Sequence, residues 1–130
     1  MTERPLSPHL SVYRWAYTNT LSILHRMTGI ALVGAFIVAI CWLGAAAAGP
    51  DAYASAMSLL GALPVKLVIA FALLALCYHF CSGLRHLAWD AGYGFERAQA
   101  RRSAVAVVVI TLLAGLVLVY VLFRSGGGAV

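Results

Sequence analysis

The chain has 130 residues, 63% of them apolar and only 10% charged, with a net charge of +5. That balance exceeds what a water-soluble fold of this size exposes, so it excludes a soluble globular domain and makes lipid the main solvent. One domain covering 1–130 is expected.

Residues 1–21 read as an interfacial arm. Pro5 and Pro8 oppose helix and favour an extended path, and Tyr13, Trp15 and Tyr17 are aromatics of the kind that settle at headgroup level. Three apolar runs of about 20 residues follow, at about 27–48, 64–85 and 104–123, each long enough for a bilayer core of roughly 30 Å. The first is too long for a signal-peptide apolar segment and is expected to be retained. With their polar ends included, the predicted helices run over about 22–48, 64–90 and 104–123 of an all-α membrane protein. Gly49-Pro50 ends the first, Pro64 suits the first turn of the second, and the intervening 51–62 reads as a short loop. Trp89 to Gly94 read as the turn after the second helix, the stretch through Arg101 and Arg102 as a basic loop, and Gly126-Gly127-Gly128 as a disordered tail.

Basic residues set membrane orientation. Arg4, Arg14 and Arg26 precede or open the first span, and Arg85, Arg97, Arg101 and Arg102 lie between the second and third; only Lys66 and Arg124 fall on the other side. The expected topology is therefore multi-pass with a cytoplasmic N-terminus, in a bacterial inner membrane, or with the N-terminus in the matrix of a mitochondrion. These arginines are scattered along membrane boundaries without a binding motif, so no nucleic-acid partner is expected. Cys41, Cys77 and Cys81 lie inside predicted helices without CxxC or zinc spacing, and read as small packing residues.

The chemistry concentrates at the end of the second span. His79, Gly83, His86 and Asp90 recur at helical spacing on one face, where ionisable groups in a membrane helix address a bundle interior or a cofactor rather than lipid. His79 is a candidate haem-iron ligand, and Gly83 removes a side chain where a flat macrocycle would approach; the alternative is a histidine bonded to a neighbouring helix. His79 and His86 are about 10.5 Å apart along one helix, so they cannot take opposite axial positions of one iron. A second axial ligand would come from another chain, or from His25. His25 and His86 lie nearer the surface, where they could hold haem propionates. Ser22 and Arg26, one turn apart at the bilayer edge, could polarise a quinone carbonyl; the alternative is helix initiation by Ser22 and snorkelling by Arg26.

Three stretches, Arg4-Pro5-Leu6-Ser7-Pro8-His9-Leu10-Ser11-Val12-Tyr13, Ser22-Ile23-Leu24-His25-Arg26-Met27-Thr28-Gly29, and His79 through Asp90, together resemble the cytochrome b membrane-anchor subunits of succinate dehydrogenase, complex II. The arm is similar to the mitochondrial and alphaproteobacterial branch. The resemblance implies a three-helix anchor that pairs with a second three-helix anchor subunit and shares one haem b with it. It implies His79 as axial ligand, His25, Arg26 and His86 at the propionates, and Ser22 and Arg26 at a ubiquinone site completed by the other anchor and the iron-sulfur subunit, with Asp90 nearby. The partners it implies are that second anchor, the iron-sulfur and flavoprotein subunits, membrane lipid and ubiquinone. No dinucleotide fingerprint or cysteine cluster is present, so the chain contributes to succinate dehydrogenase without carrying its flavin or iron-sulfur chemistry. Two rival readings remain open: a fumarate reductase anchor working with menaquinone, and a small transporter or assembly protein whose intramembrane histidines relay protons or bind a partner.

Overall fold

The computed structural model describes residues 15–125, which form four helices: α1 (Tyr17–Ala48), α2 (Pro50–Gly61), α3 (Leu63–Asp90) and α4 (Arg97–Ser125). The expectations for residues 1–14 and for the glycine tail lie outside the described residues. Three helices, α1, α3 and α4, are long and apolar enough to cross a membrane, and no strand occurs among the described residues.

Three local differences from the sequence reading have physical causes. Residues 51–62 are helical rather than a loop: Pro50 occupies the first turn, Asp51 is an acid beside the helix N-terminus, and Ala52, Ala54 and Ala56 are strong helix formers. The helix α1 starts at Tyr17, taking the last residues of the expected arm, where the Trp15 indole N–H donates to the Thr20 hydroxyl at 2.7 Å. The α3 helix ends at Asp90, as the predicted 64–90 range has it, so the turn opens after Asp90 rather than at Trp89. The α4 helix begins at Arg97, so Arg101 and Arg102 stand on a helix; Glu96, Arg97, Ala98, Gln99 and Ala100 all favour one, and the Ala100 N–H donates to the Glu96 carbonyl at 2.8 Å.

Two glycines reverse the chain. Gly49, at φ 119°, separates α1 from α2 in a conformation that L side chains rarely adopt. Gly92, at φ 87°, closes α3 in a Schellman arrangement: its N–H donates to the Trp89 carbonyl at 2.8 Å and that of Tyr93 to the Ala88 carbonyl at 2.9 Å.

The α3 helix is the central element, packed against α4 on one side and α1 on the other, while α2 bridges the far ends of α1 and α3. The interior it shares with α4 is made of small or polar side chains, Ala75, Ser82, Ala104 and Thr111, which let the two backbones approach. Gly115 sits so close to the Leu74 side chain that a Cβ there would displace it. No residue of α1 is buried, and large apolar side chains such as Ile30, Phe36, Phe71 and Leu113 point outward. In water this would be a liability; in a bilayer it is the expected surface for lipid or for other membrane helices.

Candidate functional site: a histidine cluster at one end of the bundle

Because α1 and α3 run antiparallel, the first turns of α1 meet the last turns of α3, and residues more than fifty positions apart become neighbours. The His25 ring stacks on the His79 ring with centroids 4.1 Å apart and planes 9° apart. His86 lies on the other side of His25, 5.0 Å away and tilted by 45°. His25, His79 and His86 are thus brought together, as their candidate roles require. The space at Gly83 expected to admit a macrocycle instead faces the His25 ring, whose Cε1 would lie 3.8 Å from a Cβ at that position.

His79 is held by α1. Its Nδ1 lies 3.0 Å from the His25 carbonyl oxygen and 3.3 Å from the Thr28 hydroxyl. A carbonyl can only accept, so Nδ1 carries the proton, and in the neutral ring the lone pair is on Nε2. Thr28 donates back to its own helix, to the carbonyls of Leu24 at 2.8 Å and His25 at 2.9 Å, which fixes its hydroxyl beside the imidazole. Gly29 gives the ring its space: a Cβ there would stand 3.0 Å from His79 Cε1, so the imidazole would have to shift by a few tenths of an ångström. His25 Nδ1 is buried and has no hydrogen-bond partner among the described residues.

Ser22 is half-buried on α1, one turn before the exposed Arg26, and Asp90 is exposed at the last residue of α3. These three are not part of the ring cluster. The turn carrying Ser22 is pinned from α3, where the Tyr78 hydroxyl donates to the Leu21 carbonyl at 2.7 Å. A groove of about 500 Å³ lies between the start of α1 and the first half of α4, lined by Tyr17, Thr20, Leu21, Arg101 and valines of α4. An apolar cavity of about 530 Å³ lies at the opposite half of the bundle, between α1 and α3 and reaching Leu60 of α2. Neither is lined by Ser22 or Arg26.

Four residues that shape this end are not singled out by the sequence reading. Thr28 and Tyr78 act across helices and leave no local signal. Arg85 reads in sequence only as a charge and Trp89 only as a turn residue, although their spacing of four on a helix places a cation over an aromatic face. The cysteines are free thiols, with Cys77 and Cys81 half-buried and Cys41 exposed on the surface of the bundle.

Comparison with known proteins agrees with this architecture. Residues 1–118 match the family described as Succinate dehydrogenase/Fumarate reductase transmembrane subunit. The chain is 39% identical over 120 residues to the succinate dehydrogenase cytochrome b556 subunit of Paracoccus denitrificans, covering 92% of each chain. It is 38% identical over 111 residues to the cytochrome b556 subunit of Rickettsia typhi, covering 85% of this chain and 86% of the relative. With the mitochondrial cytochrome b560 subunit of Bos taurus the identity is 42% over 115 residues, covering 85% of this chain and 66% of the relative. With three membrane-length helices and relatives of this kind, the chain is a multi-pass membrane protein and belongs to the succinate dehydrogenase/fumarate reductase transmembrane-subunit family.

Proposed function

We propose that this chain is the cytochrome b anchor of a succinate:ubiquinone oxidoreductase, holding haem b through His79 and contributing Ser22 and Arg26 to the site where ubiquinone is reduced. The observation that carries this reading is the bond from His79 Nδ1 to the His25 carbonyl at 3.0 Å. A histidine that ligates a metal commonly donates its other ring nitrogen to a carbonyl or carboxylate, which fixes the tautomer and raises the basicity of the free nitrogen. The buried, unpartnered Nδ1 of His25 fits the same group. Among the described residues no cluster of three or more His, Cys, Asp or Glu could cage a bare metal ion, whereas an axial haem ligand needs only one nitrogen.

When bound, haem b supplies one-electron redox chemistry whose potential depends on its axial ligands and surroundings. The chain's own residues hold and orient. Face-to-face stacking at 4.1 Å leaves no room for a macrocycle between His25 and His79, which supports a second axial ligand from the second anchor subunit and a propionate role for His25. His86 and Arg26 are the further residues that would hold the propionates. In the quinone site, the Ser22 hydroxyl donates to a carbonyl oxygen, and Arg26 stabilises the negative charge that develops there as electrons arrive from the iron-sulfur subunit. Because neither cavity includes Ser22 or Arg26, a pocket closed by neighbouring subunits is the natural form of that site. The unburied α1 surface offers room for the second anchor.

The test is the intact complex purified through this chain. Succinate should reduce ubiquinone, and the reduced-minus-oxidised optical spectrum should contain a b-type haem. Absence of haem from an assembled complex would overturn the cytochrome assignment, and a preference for menaquinone with fumarate reduction would reverse the proposed direction.

Orientation follows from the basic residues at the histidine end, Arg26, Arg85, Arg97, Arg101 and Arg102, against Lys66 and Arg124 at the other. A reporter fused after Arg102 is expected on the cytoplasmic side and one fused after Gly127 on the periplasmic side. The opposite pattern would place the quinone site on the wrong face of the membrane for the partner subunits.

A further inference from the structure

Arg85 is an arginine buried in a membrane helix, 7% exposed, with no acidic partner among the described residues. Burying an unpaired charge is costly unless hydrogen bonds and polarisable neighbours compensate it. Here the compensation comes from two directions. Toward α4, Nε donates to the Ser103 hydroxyl at 3.0 Å and Nη2 to the Ala100 carbonyl at 3.2 Å, a use of the planar fork that lysine cannot copy. Along its own helix, the guanidinium carbon lies 4.1 Å from the centroid of the Trp89 ring.

Trp89 is itself fixed on its other sides. Its indole N–H donates to the Gly94 carbonyl in the following turn at 3.2 Å. The His86 ring meets it edge-on, with centroids 5.2 Å apart and planes 82° apart, an arrangement aromatic pairs favour. The result is one continuous chain of contacts from the first turns of α4 through Arg85 and Trp89 to His86, which on its opposite side meets His25. His86 makes no described hydrogen bond to the protein, so these ring contacts are what define its orientation.

We propose that Arg85 and Trp89 are positioning residues that hold the His86 imidazole in the orientation from which it meets the haem propionates. This rests on the haem reading above and adds to it how that histidine is aimed, and why the start of α4 is tied to the cofactor end of α3. A propionate that loses a donor keeps more of its negative charge, which favours the oxidised iron; loosening His86 therefore lowers the haem midpoint potential.

The experiment is a redox titration of the haem in the intact complex, with low-temperature electron paramagnetic resonance to report axial ligation. The variants are His86→Ala, Trp89→Leu, the two combined, Trp89→Phe and Arg85→Lys. His86→Ala should lower the potential, and Trp89→Leu should lower it by no more than that, both with the low-spin axial signal retained. The double variant should match His86→Ala alone, because residues acting through one another are not additive. Trp89→Phe, which keeps an aromatic edge and face, should stay near the parent value, and Arg85→Lys, which keeps the charge and loses the fork, should fall with Trp89→Leu. An additive double variant, or Trp89→Leu at the parent potential while His86→Ala is lowered, overturns the proposal and leaves the haem reading intact. An unshifted His86→Ala removes the propionate role of His86 and the proposal with it. If Trp89→Leu fails to assemble, Arg85→Lys decides: a parent-like potential overturns the proposal, a lowered one supports it.

Discussion

His79→Ala is expected to leave the complex without its b-type haem, or with a haem of altered spin state and shifted potential. The substitution removes the only nitrogen on α3 that is both oriented from outside its own helix and left with a free lone pair. His86 cannot replace it, being seven residues and about 10.5 Å further along the helix axis. The effect should exceed that of His86→Ala, which touches the propionates and not the iron. Assembly is checked by co-purification of the other subunits, and ligation by the optical and paramagnetic spectra. Quinone reduction should survive in part, since Ser22 and Arg26 lie outside the ring cluster. An unchanged spectrum would remove His79 from the iron and point to His25, whose ring stands closest to the vacated space.

The second large effect is expected from Arg26→Ala. Arg26 is exposed on α1 one turn after the half-buried Ser22. A preorganised donor aimed at charge developing in a transition state typically contributes about a hundred- to a thousand-fold in rate. Ubiquinone reduction should fall by that order, while succinate oxidation with a soluble acceptor, which bypasses the membrane site, should persist. Equal loss of both activities would indicate failed assembly. Unchanged ubiquinone reduction would leave Arg26 as a side chain that snorkels to lipid phosphate.

What the sequence can reveal depends on whether a feature is local and periodic. The membrane spans of α1, α3 and α4 are long apolar runs, and that property needs no tertiary contact to be seen. The common face of His79, Gly83 and His86 is likewise a matter of helical spacing. The short helix α2 escapes the sequence reading because it lies between Gly49 and Pro64, so the helical spacing of Tyr53, Met57 and Leu60 is outweighed by its breakers. The first turns of α1 and α4 escape it because polar and basic residues flanking an apolar run look like loop, although they continue the helix beyond the hydrocarbon. The bond between His79 and the His25 carbonyl joins residues 54 positions apart and involves a backbone atom, which carries no sequence signal. Gly83 shows a related limit: its small size is legible, but the ring that faces it is the chain's own His25. The Arg85–Trp89 contact is within reach of a spacing argument, but an arginine near a membrane boundary reads first as a snorkelling charge.

Chemical rescue of His79→Gly tests the central assignment most directly. The glycine variant opens a space where the imidazole stood, and added free imidazole can enter it and supply the missing nitrogen. In the intact complex, the parent's low-spin haem signal should be absent or altered in His79→Gly and should return on addition of imidazole, while Phe80→Gly, at a neighbouring side chain exposed on the bundle surface, should leave it unchanged. A His79→Gly complex that keeps the parent low-spin signal without imidazole would contradict the assignment of His79 to the iron.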